Sequence, residues 1–191
     1  MWHAIISLVF LFGFETAAFS KANVERLKHS DIIQIKKAFQ EPPKDYNIIE
    51  DQSFKVSFEN PALNDVAVVL WEEVGPGPLS SRFYLVKSGK RIFSFPEILG
   101  ENSKNREIEA VLSVSFTDLD ADGFSDVLIE SKIRSSSAPS EHSVYFTVFL
   151  NDGKSGFKKD NAAENTLTSK NLKSLKEARA FLVKSYYPAS K

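Results

Sequence analysis

The chain has 191 residues, 24 basic and 25 acidic side chains, a formal net charge of −1 and no cysteine. A balance this even provides no field to hold nucleic acid or an anionic membrane surface. The absence of thiols excludes disulfide staples, cysteine nucleophiles and a lipid anchor on a lipobox cysteine.

Residues 1–20 read as a secretory signal peptide. Ala4–Phe14 is an apolar run too short to span a bilayer as a helix, and the small residues Ala17, Ala18, Ser20 and Ala22 follow it. Cleavage after Ser20 (Ala-Phe-Ser) or after Ala22 (Ser-Lys-Ala) satisfies the small-x-small rule. The leading segment carries Trp2 and His3 but no Lys or Arg, so a membrane anchor or a buried N-terminal helix stays open as an alternative. A signal implies a periplasmic or secreted protein with no membrane span in the mature chain. Residues 21–191 hold 24 acids against 24 bases, because only Glu15 leaves with the leader. A chain of this length can form one domain with its own core.

Ser30-Asp31 is a helix-capping pair, and Ile32, Ile35 and Phe39 recur near helical spacing. They predict a helix over about 31–40, stopped by Pro42-Pro43. From Phe54 to Phe157 the pattern is β. Phe54, Val56 and Phe58 alternate, as do Ile108, Ala110, Leu112, Val114 and Phe116. Val66–Leu70 and Val127–Ile129 are continuous apolar runs suited to central strands, and Tyr145–Leu150 is another apolar strand. Ser88-Gly89-Lys90 and Asn151-Asp152-Gly153-Lys154 mark turns. Ser174 and Glu177 form a capping box ahead of Leu175, Ala178 and Leu182, predicting a C-terminal helix over about 175–186, with Pro188 just past its end.

An internal repeat underlies the β region. Shifting the chain by 61 residues lays Glu59–Val66 on Asp120–Val127, and shifting it by 64 lays Phe83–Phe93 on Thr147–Phe157. The two copies, about 54–95 and 110–157, share the order strand, loop, strand, long connection, strand, Gly-Lys turn, strand. The long connections are 72–81 and 135–142, rich in Pro, Gly and Ser, which keeps them out of a sheet. Loops of this kind on a rigid sheet are where binding residues concentrate.

The residues richest in chemistry are Phe116-Thr117-Asp118-Leu119-Asp120-Ala121-Asp122-Gly123-Phe124-Ser125-Asp126-Val127. A hard cation such as Ca²⁺ takes six to eight oxygens at about 2.3–2.6 Å. Carboxylates on alternate residues converge only if the chain curls, and Gly123 permits the positive φ that makes the curl. Asp118, Asp120, Asp122 and Asp126 repel one another unless a cation lies among them. The alternative is a solvated Asp-rich hairpin turn. In the first copy Ser57 stands at the place of Asp118 and Pro61 at that of Asp122, while Glu59 and Asp65 stay acidic, so one cation is expected, in the second copy.

This loop, with the downstream Phe149-Leu150-Asn151-Asp152-Gly153-Lys154-Ser155-Gly156-Phe157, resembles the calcium-binding repeat of the VCBS/FG-GAP group of integrin-type propellers and secreted bacterial proteins. The resemblance implies one structural Ca²⁺ held by the side chains of Asp118, Asp120, Asp122 and Asp126 and by the carbonyl of Phe124. It covers 54–157, and closely only 110–157. The Phe-Gly and Gly-Ala-Pro signatures of FG-GAP repeats are absent, and two copies are too few to close a propeller. The expected fold is therefore α+β and β-rich, two degenerate propeller-blade-like antiparallel units with short N- and C-terminal helices in a single domain, 21–191. The chain also resembles small exported bacterial proteins that pair a signal, this loop and a C-terminal helix.

Enzyme constellations are sparse. There is no Gly-x-Ser-x-Gly elbow and no phosphate-cradling glycine loop. Beyond the leader only His29 and His142 remain, too few for a histidine-built zinc site. The sequence thus points to an exported, non-enzymatic calcium-binding protein whose long loops contact a protein or glycan, in an inhibitor- or immunity-like role. The alternative is an envelope polysaccharide or glycan hydrolase using loop carboxylates such as Glu72 and Glu73.

Overall fold

The computed structural model describes residues 22–38, 46–73, 81–99, 106–135, 137–138 and 140–188. The signal expected at 1–20, the helix-stopping Pro42-Pro43, and most of the first long connection lie outside these residues. In chain order the described elements are β1 (Asn23–Arg26), α1 (His29–Ala38), β2 (Tyr46–Ile48), β3 (Phe54–Ser57), β4 (Val66–Glu73), β5 (Ser81–Lys87), β6 (Lys90–Ser94), β7 (Arg106–Thr117), β8 (Asp126–Ser135), β9 (His142–Asn151), β10 (Phe157–Lys159), α2 (Asn161–Ser169) and α3 (Leu175–Phe181). A π-helical turn, Leu182–Tyr186, continues α3.

The expected α+β, β-rich class is what the strands build. The first sheet runs β1-β3-β4-β5-β6, with β2 also paired to β4, and the second runs β10-β9-β8-β7. All pairings are antiparallel. β3 to β6 and β7 to β10 are therefore two four-stranded meanders in the order the sequence repeat predicts.

Three apolar clusters set four layers. Val66, Val68 and Leu70 of β4 alternate with Val69 and Trp71, so β4 is apolar on both faces. Its inner residues join Phe83, Leu85 and Phe95 against Phe116, Val127, Ile129, Phe149 and Phe157 of the second sheet. Its outer residues pack under Ile32 and Ile35 of α1. The far face of the second sheet, with Leu128, Phe146 and Val148, packs under Ala163 and Leu167 of α2 and Ala178 and Leu182 of α3 and its extension. Helix, sheet, sheet and helices follow in that order. Among the described residues no helix is long and apolar enough to cross a membrane.

Some expectations shift in detail. In β7 strict alternation would put Leu112 inside. Pairing with β8 slips at two bulges, between Ile108 and Ala110 and between Val111 and Ser113. Each extra residue reverses the side on which the following side chains fall. Val111 is consequently buried and Leu112 is 44% exposed. α1 begins two residues earlier than expected, with Asp31 Oδ2 accepting from Lys28 N at 3.0 Å. Half of the capping box of α3 forms: Ser174 Oγ accepts from Glu177 N at 3.3 Å, whereas Glu177 Oε2 reaches one residue further back and accepts from Lys173 N at 2.8 Å.

α2, β1 and β2 are additional to the elements read from sequence. α2 (NAAENTLTS) has weak intrinsic propensity and is held by burial and by its Asp160 cap, whose Oδ1 accepts from Ala163 N at 2.9 Å. Its Glu164 is 2% exposed. The carboxylate accepts from Val148 N at 3.2 Å and Tyr145 Oη at 2.9 Å, and lies 3.4 Å from Lys159 Nζ. Burial pushes the Glu164 carboxyl up from 4.5 to about 6, against the opposing pull of Lys159, Tyr145 and Val148 N–H. Burial also holds the Lys159 ammonium below its ordinary value. A carboxyl that titrates higher when folded stabilises the protein below its unfolded pKa and loses that contribution as pH rises through the folded value. Glu164→Gln removes the effect. The stability of this variant relative to wild type should rise by about 2 kcal/mol between pH 4 and 7, measured by urea unfolding at each pH.

Candidate metal centre

The β7–β8 connection, 118–125, is held from within and from both neighbours. Inside the loop, Asp118 Oδ1 accepts from Ala121 N at 2.7 Å and Oδ2 from Gly123 N at 3.0 Å. Asp120 Oδ1 accepts from Asp122 N at 3.3 Å, and Asp122 Oδ1 from Phe124 N at 2.8 Å. Ala121 (φ 63°) and Gly123 (φ 91°) supply the left-handed backbone that curls the loop. Leu119 is buried in the cluster beneath α2 and α3 and pegs the loop to the sheet.

Asp126, the first residue of β8, closes the loop. Its Oδ2 accepts from Leu119 N at 2.7 Å and its Oδ1 from Asn151 N at 2.8 Å. Asn151 Nδ2 donates to the carbonyl of Ser125 at 3.2 Å, so the end of β9 is tied to the start of β8 on both sides. Asp126 is fully buried. Burial pushes its carboxyl up to about 8, although both backbone N–H groups favour the anion; the charges of Asp120 and Asp122 add to the rise. Burial and the neighbouring Asp122 also raise Asp120.

One carboxylate oxygen from each of Asp118, Asp120 and Asp126 lies within 4.8 Å of the other two. Two oxygens bound at about 2.4 Å to one ion can be no more than about 4.8 Å apart, so these three fit around a single cation. The donors are hard oxygens without imidazole or sulfur, which suits calcium or magnesium rather than a transition metal. Asp122 is exposed and stands outside this trio. Phe124 is half-buried, and its ring packs on Gly153 (φ 67°), where a Cβ would meet it at 3.0 Å. The loop is thereby packed onto the β9–β10 turn.

The first copy contributes in a way its sequence does not announce. Glu59, the counterpart of Asp120 in the repeat, turns away from its own loop. Its carboxylate accepts from Ser125 N and Ser125 Oγ, both at 2.8 Å. Ser125 Oγ in turn accepts from Ala22 N at 2.9 Å. Asn60 Nδ2 donates to the carbonyl of Lys154. Asp65, the counterpart of Asp126, pairs with Lys55 at 2.9 Å at the surface. These bonds put the β3–β4 and β7–β8 loops at one end of the sandwich. β4 and β8 both start there, so the strand ends leading into 74–80 and 136–141 lie at the opposite end. Along β8 that separation is ten residues, or about 30 Å.

Of the carboxylates considered for hydrolysis, that of Glu73 lies outside the described residues and that of Glu72 lies elsewhere. Glu72 is half-buried on β4, its carboxyl raised by burial and by Asp51. His142 is paired with Glu109 at 2.7 Å, and Glu109 with Lys132 at 2.7 Å. No family model, curated protein or solved structure matches the chain.

Asp126 and Asp120 should respond differently to truncation. Asp126→Ala orphans two buried N–H groups and should cost about 3 kcal/mol or more in chelator. Asp120→Ala, at a half-buried position with one local bond, should cost under about 1 kcal/mol. Urea unfolding of both variants in EDTA measures the contrast.

Proposed function

We propose that this chain is an exported, non-enzymatic binding module in which one Ca²⁺ at the β7–β8 loop serves a structural role. The observation that carries the reading is the convergence of Asp118, Asp120 and Asp126 around a point sized for one hard cation. Asp122 and the carbonyl of Phe124 complete the proposed ligand set. The cation neutralises carboxylates that burial and mutual repulsion otherwise disfavour, and fixes the junction of β7, β8 and β9. It acts at one end of the sandwich. The long connections leave from the other, where two loops on a stiff frame suit contact with a protein or glycan.

The two meanders are read as degenerate blades of the VCBS/FG-GAP type. They meet face to face, as neighbouring propeller blades do. α1 and the α2–α3 pair cover the outer faces that further blades would otherwise bury.

Thermal unfolding tests the cation. With Ca²⁺ at a hundredfold excess over its Kd the folded state gains about 2.7 kcal/mol, equivalent to a rise in Tm of several degrees. The rise should vanish in Asp120→Ala and be smaller with Mg²⁺. An unchanged wild-type Tm in millimolar Ca²⁺ would sink the reading.

Export is tested at the cleavage point. Ala22 is 4% exposed within the inter-sheet core, and its N–H holds Ser125. Cleavage after Ser20 keeps this contact, whereas cleavage after Ala22 destroys it. Intact-mass measurement of the exported protein should find Lys21 as its first residue.

A further inference from the structure

The second sheet leaves part of one edge open. β10 pairs with β9 only at Phe149–Asn151. Just before that segment, the edge groups of Val148 are taken up by α2: its N–H bonds Glu164 and its carbonyl accepts from Asp160 N at 2.9 Å. β8 and β9 pair without a bulge from Val127↔Phe149 to Arg134↔His142. In an antiparallel strand every second residue turns both its N–H and its C=O to the same side. Since Val148 points away from β8, Phe146 and Val144 do so too. Phe146 is itself buried, but Val144 and His142, further along the same side, are accessible, and neither is bonded through its backbone to a described residue outside the β8–β9 ladder.

A cavity of about 410 Å³ surrounds this open edge. On one side its wall is apolar, with Val144 and Phe146 facing Leu167 and Leu172. On the other it carries Tyr145 and Arg106, and Lys173 and His142 also line it. No acid is among its described lining residues. Glu164 lies behind Tyr145 and is committed to Tyr145, Val148 and Lys159. His142 is committed to Glu109. Among the described residues Lys173 Nζ donates only to the neutral Asn171 side chain, at 2.8 Å. Arg106 is exposed and close enough to Tyr145 for its charge to favour the phenolate.

We infer that this groove receives an extended acidic peptide segment, which adds a strand to β9 by bonding the backbone of His142 and Val144. Strand addition takes its affinity from main-chain hydrogen bonds and its selectivity from alternate side chains. One set of alternate side chains would meet the apolar wall, and the other would meet Tyr145 and Arg106, with Lys173 also in the lining. The expected ligand therefore alternates apolar residues with Asp or Glu over about five residues, the length of the open edge at about 3.3 Å each. This site is separate from the cation loop, and the inference does not depend on calcium.

The test pans a random eight-residue phage-displayed library against the protein and synthesises the best clone with a fluorescent label. Enriched clones should alternate apolar and acidic residues. Affinity should fall at least tenfold when alternate backbone amides are N-methylated, and at least tenfold in Arg106→Glu, whose Tm should match wild type. Affinity should be the same in EDTA as in millimolar Ca²⁺. Enrichment of non-acidic sequences, or of none, would overturn the inference. So would a clone indifferent to N-methylation, which would mark a simple anion site. Binding of an oligouronate that Arg106→Glu abolishes, with no peptide enriched, would assign the groove to an acidic saccharide instead.

Discussion

Phe95 meets Phe149 and Phe157 of the opposite sheet with ring centroids 5.0 and 4.9 Å away, and Phe83 and Phe93 of its own at 6.3 and 5.2 Å. Phe58 bridges in the same way to Phe116 and Phe157. Most of these contacts are edge to face, the arrangement favoured by the ring quadrupole. This aromatic seam joins the two meanders, and the remaining architecture follows from it. Once their inner faces are spent on each other, each sheet still has an apolar outer face to cover. A closed ring of blades would cover these faces with more sheets. Here amphipathic helices do it, which explains why helices flank the β region at both ends of the chain.

The same seam brings the equivalent loops of the two copies together. Glu59 and Asp120 correspond in the repeat, yet their carboxylates do different work. Asp120 faces its own loop, whereas Glu59 crosses to the backbone and hydroxyl of Ser125. The position that carries a candidate ligand in the β7–β8 loop thus carries a brace in the β3–β4 loop. With Ser57 and Pro61 in place of two acids, the β3–β4 loop has fewer carboxylates to gather, and Glu59 braces the β7–β8 loop instead.

Much of this was legible because it is periodic or punctuated. Alternating β patterns, the Gly-Lys turns and the Ser174–Glu177 cap are local signals, and the duplicated element order was visible in residues 54–157. The acidic loop was legible for the same reason: spacing two apart with Gly123 implies convergence without tertiary information. What escaped is non-local. Leu112 faces solvent because bulges depend on the partner strand. α2 is helical because Ala163 and Leu167 are buried on β9, although Asn, Thr and Ser predominate in its sequence. The brace from Glu59 is 66 residues from Ser125 in sequence, and no local pattern marks it.

Asp126 and Glu164 solve one physical problem in two ways. Each places a buried carboxylate where a β9 backbone N–H would otherwise lack a partner, at Asn151 and Val148 respectively. Each is raised well above the ordinary carboxylate range by burial. Removing such a group from water is costly unless charge or hydrogen bonds compensate. Glu164 has the Lys159 ammonium beside it and Tyr145 above it. Among the described residues Asp126 has no ammonium in its contacts, only two N–H donors and more acids nearby. At Val148 the fold has therefore completed the compensation with its own residues. Three residues on, at Asn151, it has gathered carboxylates around a point that a divalent cation would neutralise, and this asymmetry is the strongest physical reason to read the loop as a metal site rather than as a turn.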